Sequence, residues 1–203
     1  GVSPDNENSK VNMLHFGQTG LGLPDRDYYF KTDASTLEIQ KAYQSYLTKL
    51  FELTGNNNAA QHTATVYGIE ERLAGAHKTR IERRNVKANY NKLAVSELVK
   101  KQPNIGWTNL LKNLNAAADY IDIRQPAYYD KLNDMLGTVA LADWKTYLRA
   151  NILTNYANIL SEPFETAAFE YTKVISGQAV QNTRAQIMVQ KVDRQLGFAL
   201  GKI

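Results

Sequence analysis

Apolar residues recur at helical spacing over most of this chain and read as extended only near its start. Val11-Asn12-Met13-Leu14-His15-Phe16 follows a polar, turn-like run from Ser3 to Ser9 and predicts one short strand. Gly17 to Pro24 holds three Gly and a Pro in eight positions, which marks an irregular connector. Beyond it, Ser35-x-x-Glu38 is a capping-box signal, and Leu37, Tyr43, Leu47, Leu50 and Phe51 form an apolar stripe closed by Gly55 as a left-handed cap. A second helix starts near Asn58 and carries Val66, Ile69, Leu73 and Ala76 on one face, running to about Arg83.

Residues 85–120 are more broken. Val95 to Lys101 predicts a short helix stopped by Pro103, and Trp107, Leu110, Leu111 and Leu114 mark another. Tyr120 to Ile123 reads as a short strand or an extended link. Pro126 suits the first turn of a helix bearing Tyr129, Leu132, Met135 and Leu136. The clearest helical stripe follows: Leu141, Trp144, Leu148, Ile152, Tyr156 and Ile159. Ser161 with Pro163 restarts a helix that ends at Ser176-Gly177, and Asn182 is the expected cap of a last one, with Met188, Val192, Leu196 and Leu200 on one face. Together these elements predict an all-α fold, a mainly helical, bundle-like domain of six or seven helices with a short β segment near the N-terminus. Residues 1–30 form the strand and irregular connector, and residues 31–203 the helical domain, within a single domain overall.

Composition narrows the function classes. The 203 residues carry 24 Lys+Arg against 20 Asp+Glu, a net charge of +4. Charged residues are 22% and hydrophobic ones 43% of the chain, too apolar for a disordered segment. No apolar run is long enough to span a membrane, so no membrane contact is expected of this segment, and the first residues do not read as a signal peptide. Cysteine is absent, which excludes disulfides, thiolate nucleophiles and thiolate metal sites. The lack of an initiator Met and a helical register still open at Leu200-Gly201-Lys202-Ile203 lead to the expectation of a piece of something longer.

Candidate chemistry is sparse. His15, His62 and His77 are the three histidines, and none forms a His-x-x-x-His or His-x-His pair. His62 and His77 lie about 22 Å apart along an ideal helix, so one ion cannot bridge them, and each is expected as a lone surface side chain. Glu70-Glu71 and Asp25/Asp27 are acidic pairs. Neighbouring residues on a helix diverge, so Glu70 and Glu71 are expected on a solvated face rather than as a general acid and base. His77 to Lys87 carries five Lys/Arg in eleven residues. Its phosphate-binding reading is outweighed by that of a helix C-terminus, where cations meet the negative end of the dipole. His-Glu-x-x-His, Gly-x-Ser-x-Gly and phosphate-loop motifs are all absent. On the residues alone, this is a helical domain with no catalytic apparatus and no metal site of its own.

One stretch is more specific. Gly20-Leu21-Gly22-Leu23-Pro24-Asp25-Arg26-Asp27-Tyr28-Tyr29 resembles the Gly-Leu-Pro-x-Arg-Asp-Tyr-Tyr signature of the neprilysin family of zinc metallopeptidases, which includes the endothelin-converting enzymes and bacterial oligopeptidases. Further similarity runs through Ala42-Tyr43 to Leu53, Tyr90-Asn91-Lys92-Leu93, Trp107, Gln125-Pro126-Ala127-Tyr128-Tyr129, and Arg184 through Val192 to Leu196-Gly197-Phe198-Ala199-Leu200-Gly201. It covers essentially the whole chain. Departures are Ala185 in place of the family's Trp, Leu93 in place of Met, and the absence of the Cys that animal members carry, which leans toward a bacterial member.

The resemblance implies two mostly helical lobes around a central cavity. The zinc lobe carries His-Glu-x-x-His and a third Glu ligand. None of these is here, so no catalytic or metal residue carries over. The resemblance instead implies the cap lobe, which encloses peptide substrates for a zinc metalloendopeptidase. Its partners are the zinc lobe of the same parent chain, on the side of residues 1–30, and peptide substrates, with no nucleic acid. This fragment needs no cofactor and is inactive alone; zinc belongs to the parent. Residues Arg26, Asp27, Tyr28 and Tyr29 form the structural signature and the candidate substrate-side contact, with Arg26 locking the connector to the bundle through charge-assisted bonds. Localisation is not set by the sequence; the resemblance places the parent outside the cytoplasm, as a periplasmic, secreted or membrane-anchored protein. A cut domain of this kind exposes its former interface, as an apolar patch or as an unpaired strand edge at 11–16. The rival reading is a stand-alone helical module that binds a protein, or nucleic acid through residues 78–87.

Overall fold

The computed structural model describes residues 1–200. The side chains of Phe198 and Leu200, and all of Gly201-Lys202-Ile203, at the end of the expected last apolar face and of the family resemblance, lie outside the described residues. The described chain runs β1 (Val2–Pro4), β2 (Asn12–Phe16), α1 (Asp27–Phe30), α2 (Ala34–Leu53), α3 (Ala59–Ala74), α4 (Arg80–Arg83), β3 (Lys92–Ala94), α5 (Val95–Lys101) and α6 (Trp107–Asn113). It continues through β4 (Tyr120–Ile123), α7 (Pro126–Thr138), α8 (Leu141–Tyr156), α9 (Glu162–Ser176) and α10 (Arg184–Leu200). It is mainly helical with a small β component, as the apolar spacing predicts. Two compact units divide it: Gly1–Phe30 with Gly68–Leu141, and Lys31–Tyr67 with the chain from Ala142 onward.

The first unit holds a four-stranded sheet in the order β1-β2-β4-β3. The outer pairs are antiparallel and the central pair, β2 with β4, is parallel. Residues 11–16 therefore do not present an unpaired edge. Val2 lies opposite Leu14 on one side and Phe16 beside Ile123 on the other, so β2 is an interior strand. The sequence hid β1 because three residues ending in Pro4 show no alternation. On β4, Ile121 and Ile123 point into the core while Asp122, also buried, points to the opposite face. That carboxylate is compensated: Oδ2 lies 2.8 Å from Nδ1 of His15, and Oδ1 accepts the Asn91 N–H at 2.7 Å. Phe16, Trp107 and Tyr129 form the aromatic centre, with ring centroids 5.4 to 6.5 Å apart. The Trp107 Nε1–H donates to Gln102 Oε1, and Gln102 Nε2 donates to Asp130, so this buried indole is satisfied.

The second unit is built on α2, α8, α9, α10 and the first half of α3. Tyr43, Leu47, Leu50 and Phe51 are buried as expected, but Leu37 is exposed. Helix α2 is capped two residues before Ser35: Asp33 is the cap, accepting the Thr36 N–H at 3.0 Å and the Thr36 hydroxyl at 2.8 Å. Tyr46 stacks on Tyr171 of α9, with centroids 5.0 Å apart. Helix α10 is capped by Thr183 rather than Asn182, through a reciprocal pair of bonds with Gln186. The apolar stripe of α8 is also reassigned. Tyr147, Ala150 and, just beyond the helix, Ala157 are buried, while Leu148, Ile152 and Tyr156 are 57, 61 and 46% exposed. The helix is apolar on two faces, and periodicity alone picked the outer one.

Candidate functional site

The signature residues form a knot between the connector and the C-terminal end of α3. Gly20 takes a positive φ of 91°, which turns the chain into the loop. The Tyr29 hydroxyl, buried, accepts the N–H groups of Gly22 and Leu23 at 3.2 and 3.1 Å and donates to Glu70 Oε2 at 2.8 Å. Burial, and then the Glu70 charge, push the Tyr29 phenol far above its ordinary range, so it remains a donor at any ordinary pH. Asp25 closes the turn by accepting the Asp27 N–H at 2.9 Å and holds Arg80 Nε at 2.7 Å.

Arg26 Nε donates to the carbonyl oxygen of Ala74, the last residue of α3, at 3.2 Å. A cation at that point is a second donor to a carbonyl that also accepts the His77 N–H at 3.1 Å, and it meets the negative end of the dipole. Its guanidinium lies 5.5 Å above the Phe30 ring, and Nη1 is 3.8 Å from Asp27 Oδ1. Asp27 and Tyr28 are half-buried at the start of α1. The structure thus brings Arg26, Asp27 and Tyr29 together at the end of α3.

Three further contacts pin the connector, none of them foreseen. Gln18 pairs with the Lys78 backbone through both carboxamide atoms, at 2.8 and 2.9 Å. Gln125 Oε1 accepts the Gln18 N–H at 2.8 Å, and its Nε2 donates to Asn89 Oδ1. His77 Nε2 donates to the Thr19 carbonyl at 3.2 Å, and the ring packs edge-on against Tyr128. His77 is not a lone surface histidine but a buried one. Burial, opposed by the Thr19 bond and aided by the charges of Arg83 and Arg26, lowers its pKa to about 4.

Glu70 likewise is not on a solvated face. It is 2% exposed, while Glu71 faces water. A signal for it existed in the sequence: Glu70 follows Val66 by four residues and precedes Leu73 by three, which places it on the buried side of α3. The basic stretch from His77 to Lys87 also departs from expectation. Helix α3 ends at Ala74, the backbone turns through Gly75 to His77, and Thr79 with Glu82 forms a complete capping box that starts α4. The stretch is a separate turn, not the end of a long helix.

For zinc, which the resemblance brings with it, the described residues gather no ligand set. His15 is committed to Asp122, His62 to Asn56 at 2.8 Å, and His77 to Thr19, and cysteine is absent. Among the described residues no three His, Cys, Asp or Glu side chains gather to hold an ion, and no helix is long and apolar enough to cross a membrane.

Residues 1–203 match the N-terminal sequence model of peptidase family M13. The mouse (Mus musculus) protein "Endothelin-converting enzyme-like 1" is 26% identical over 208 residues, covering 100% of this chain and 27% of that protein. "Endothelin-converting enzyme 1" of Cavia porcellus is 26% identical over 98% of this chain and 28% of its own. The chain therefore spans about a quarter of the length of the curated relatives it matches. Among solved structures, the open state of the Mycobacterium tuberculosis zinc metalloprotease Zmp1 superposes with a TM-score of 0.91 at 25% identity, over 99% of this chain and 32% of that one. PepO from Lactobacillus rhamnosis, 18% identical, shares the fold with a TM-score of 0.80 over 92% of this chain and 30% of its own. With the signature knot at residues 20–29 and a match along its entire length, this chain belongs to peptidase family M13, as the N-terminal region of such a protein.

Proposed function

We propose that this chain is the non-catalytic, substrate-enclosing part of a zinc metalloendopeptidase, and that the zinc and the bond-making groups lie in the part of the parent outside these residues. The reading is supported by a family match along all 203 residues, beside described residues among which no three His, Cys, Asp or Glu side chains gather. In this reading the chain contributes by excluding water and oversized peptides from a chamber, not by touching the scissile bond. Residues 1–30 lead toward the catalytic lobe and residues 31–203 form the cap. Arg26, Asp27, Tyr28 and Tyr29 keep the connector rigid at that boundary, with Arg26 anchoring rather than binding substrate. The parent works outside the cytoplasm.

The outer face of α8 supports an interface with the remaining chain. Leu148, Ile152 and Tyr156 are all at least 46% exposed along one stripe, and a helix apolar on both faces is built to be covered on both. The catalytic lobe is the proposed occupant.

The test compares the complete gene product with the isolated 203-residue chain on a peptide mixture, read by mass spectrometry with and without a chelator. Cleavage by the complete product alone, abolished by chelator and restored by zinc, is the expected result. Chelator-sensitive cleavage by the isolated chain, or none by the complete product, sinks the reading.

A further inference from the structure

Around residues 80–84 the first unit carries a second feature, which shares Arg80 with the signature knot through Asp25. Because α3 stops at Ala74 and α4 starts afresh, Arg80, Arg83 and Arg84 do not continue α3; they form and cap the single turn of α4. They gather with Arg124, from the link between β4 and α7, around an open cleft of about 510 Å³, a size within the range of ligand sites. Neither a carboxylate nor an aromatic ring lines this cleft. Four guanidinium groups meet there in a chain whose whole net charge is +4.

The cleft has a rigid base. Gln125 is buried and clamped between the Gln18 N–H and Asn89, and Gln18 is clamped by the Lys78 backbone. Above it the charges are unequally committed. Arg80 is held by Asp25 at 2.7 Å, and Arg124 leans toward Asp122 at 3.6 Å, an acid already shared with His15 and the Asn91 N–H. Arg83 and Arg84 make no ion pair among the described residues. Uncompensated guanidinium groups over a fixed amide floor form a receptor for planar anions, since the fork of Arg matches a carboxylate in two parallel bonds.

We propose that this cleft binds the carboxylate groups of acidic peptides, with Arg83 and Arg84 as the principal contacts and Arg80 and Arg124 as the flanking charges. Nucleic acid is the weaker fit: single strands need rings to stack on, and the cleft offers none. The choice of a peptide rests on the peptidase reading; the site itself rests on the arginines and the cavity. As part of a substrate-enclosing lobe, such a cleft would favour peptides that carry Asp or Glu.

Binding is measured on the complete gene product by fluorescence anisotropy, with labelled hexa-D-glutamate, which a peptidase for natural peptides does not consume, and hexa-D-glutamine as the neutral control. The expected result is salt-sensitive binding of the glutamate peptide only. The double variant Arg83→Gln/Arg84→Gln weakens it about tenfold or more, the loss of two charge-assisted contacts, at unchanged far-UV circular dichroism and melting temperature. Arg83→Lys/Arg84→Lys, which keeps charge and loses the fork, falls in between. Equal binding of both peptides, no binding of either, or glutamate binding indifferent to the Gln variant overturns the proposal. Displacement by a short oligothymidylate of equal charge at lower concentration than by unlabelled hexa-D-glutamate overturns it in favour of a nucleic-acid cleft. No cleavage is read, so a gene product that binds but does not cut refutes the peptidase reading and leaves the site standing.

Discussion

Arg26 and His77 carry opposite lessons about single side chains. Arg26 gives its Nε–H to the Ala74 carbonyl and covers Phe30 with its guanidinium. Its side chain is only partly exposed, at 28%, so the bond is worth more than a surface ion pair and less than a buried one. Arg26→Ala should cost about 1.5 kcal/mol of unfolding free energy, read from urea melts, while the turnover of the complete gene product per folded molecule stays constant. A large fall in turnover at unchanged stability would make Arg26 a substrate contact instead. His77 is held neutral. Its folded pKa of about 4 lies below the ordinary 6.5 because burial opposes the charge. Above pH 6.5 both folded and unfolded states are neutral there and its contribution is complete. As pH falls toward 4 the unfolded state takes up a proton that the folded state refuses, so stability drops; below 4 the loss levels off. His77→Gln should remove about 2 kcal/mol of that acid sensitivity, seen as a shallower decline of urea midpoint between pH 6.5 and 4. An unchanged slope contradicts a buried neutral His77. The signature itself was readable from Gly20 to Tyr29. Its partners were not, because Glu70 and Ala74 lie 41 and 48 positions downstream of the residues they hold, and only tertiary packing joins them.

At the scale of elements, periodicity located the long helices and misjudged their ends and faces. Helix α2 shows why. Ser35-x-x-Glu38 satisfies the pattern of a capping box, but Asp33 precedes it and supplies a carboxylate, a stronger acceptor for the free N–H groups of the first turn. The Thr36 bonds also hold the Asp33 carboxyl below its ordinary pKa. Asp33→Ala should therefore lower the melting free energy by about 1 kcal/mol, and Ser35→Ala by well under half of that. Equal losses would restore Ser35 as the cap. The same competition recurs at α10, where Thr183 prevails over its neighbour Asn182. Strands β1 and β3 were invisible because three residues cannot display an alternation. They exist because β2 and β4, which carry the apolar residues, leave edges whose backbone groups require partners. The end of α3 was missed for a related reason. Thr79 and Glu82 offer a new start that a count of apolar positions cannot see, and this break, rather than the number of arginines, produces the cleft.

For the whole molecule the question is what covers α8. A helix that buried only one apolar stripe would be polar opposite, and a polar outer face would keep an independent domain soluble. Here Tyr147 and Ala150 are buried while Leu148 and Ile152 stand in water at 57 and 61% exposure. Leaving two large aliphatic side chains more than half exposed gives up about 1 to 2 kcal/mol for each, roughly the exposed share of full burial on the usual transfer scale. The chain spans about a quarter of the relatives it matches, and on the function proposed above the face is completed by the rest of the parent. The double variant Leu148→Glu/Ile152→Glu separates the alternatives. In the isolated 203-residue chain both sites are already solvated, so unfolding free energy should change by no more than about 0.5 kcal/mol and self-association should fall. In the complete gene product the same changes place two charges in a buried seam and should cost about 3 kcal/mol or more, seen as a lowered melting temperature and as release of this segment on limited proteolysis. If the complete product melts unchanged, α8 faces solvent there as well, and the proposed contact with a catalytic lobe must run through some other surface.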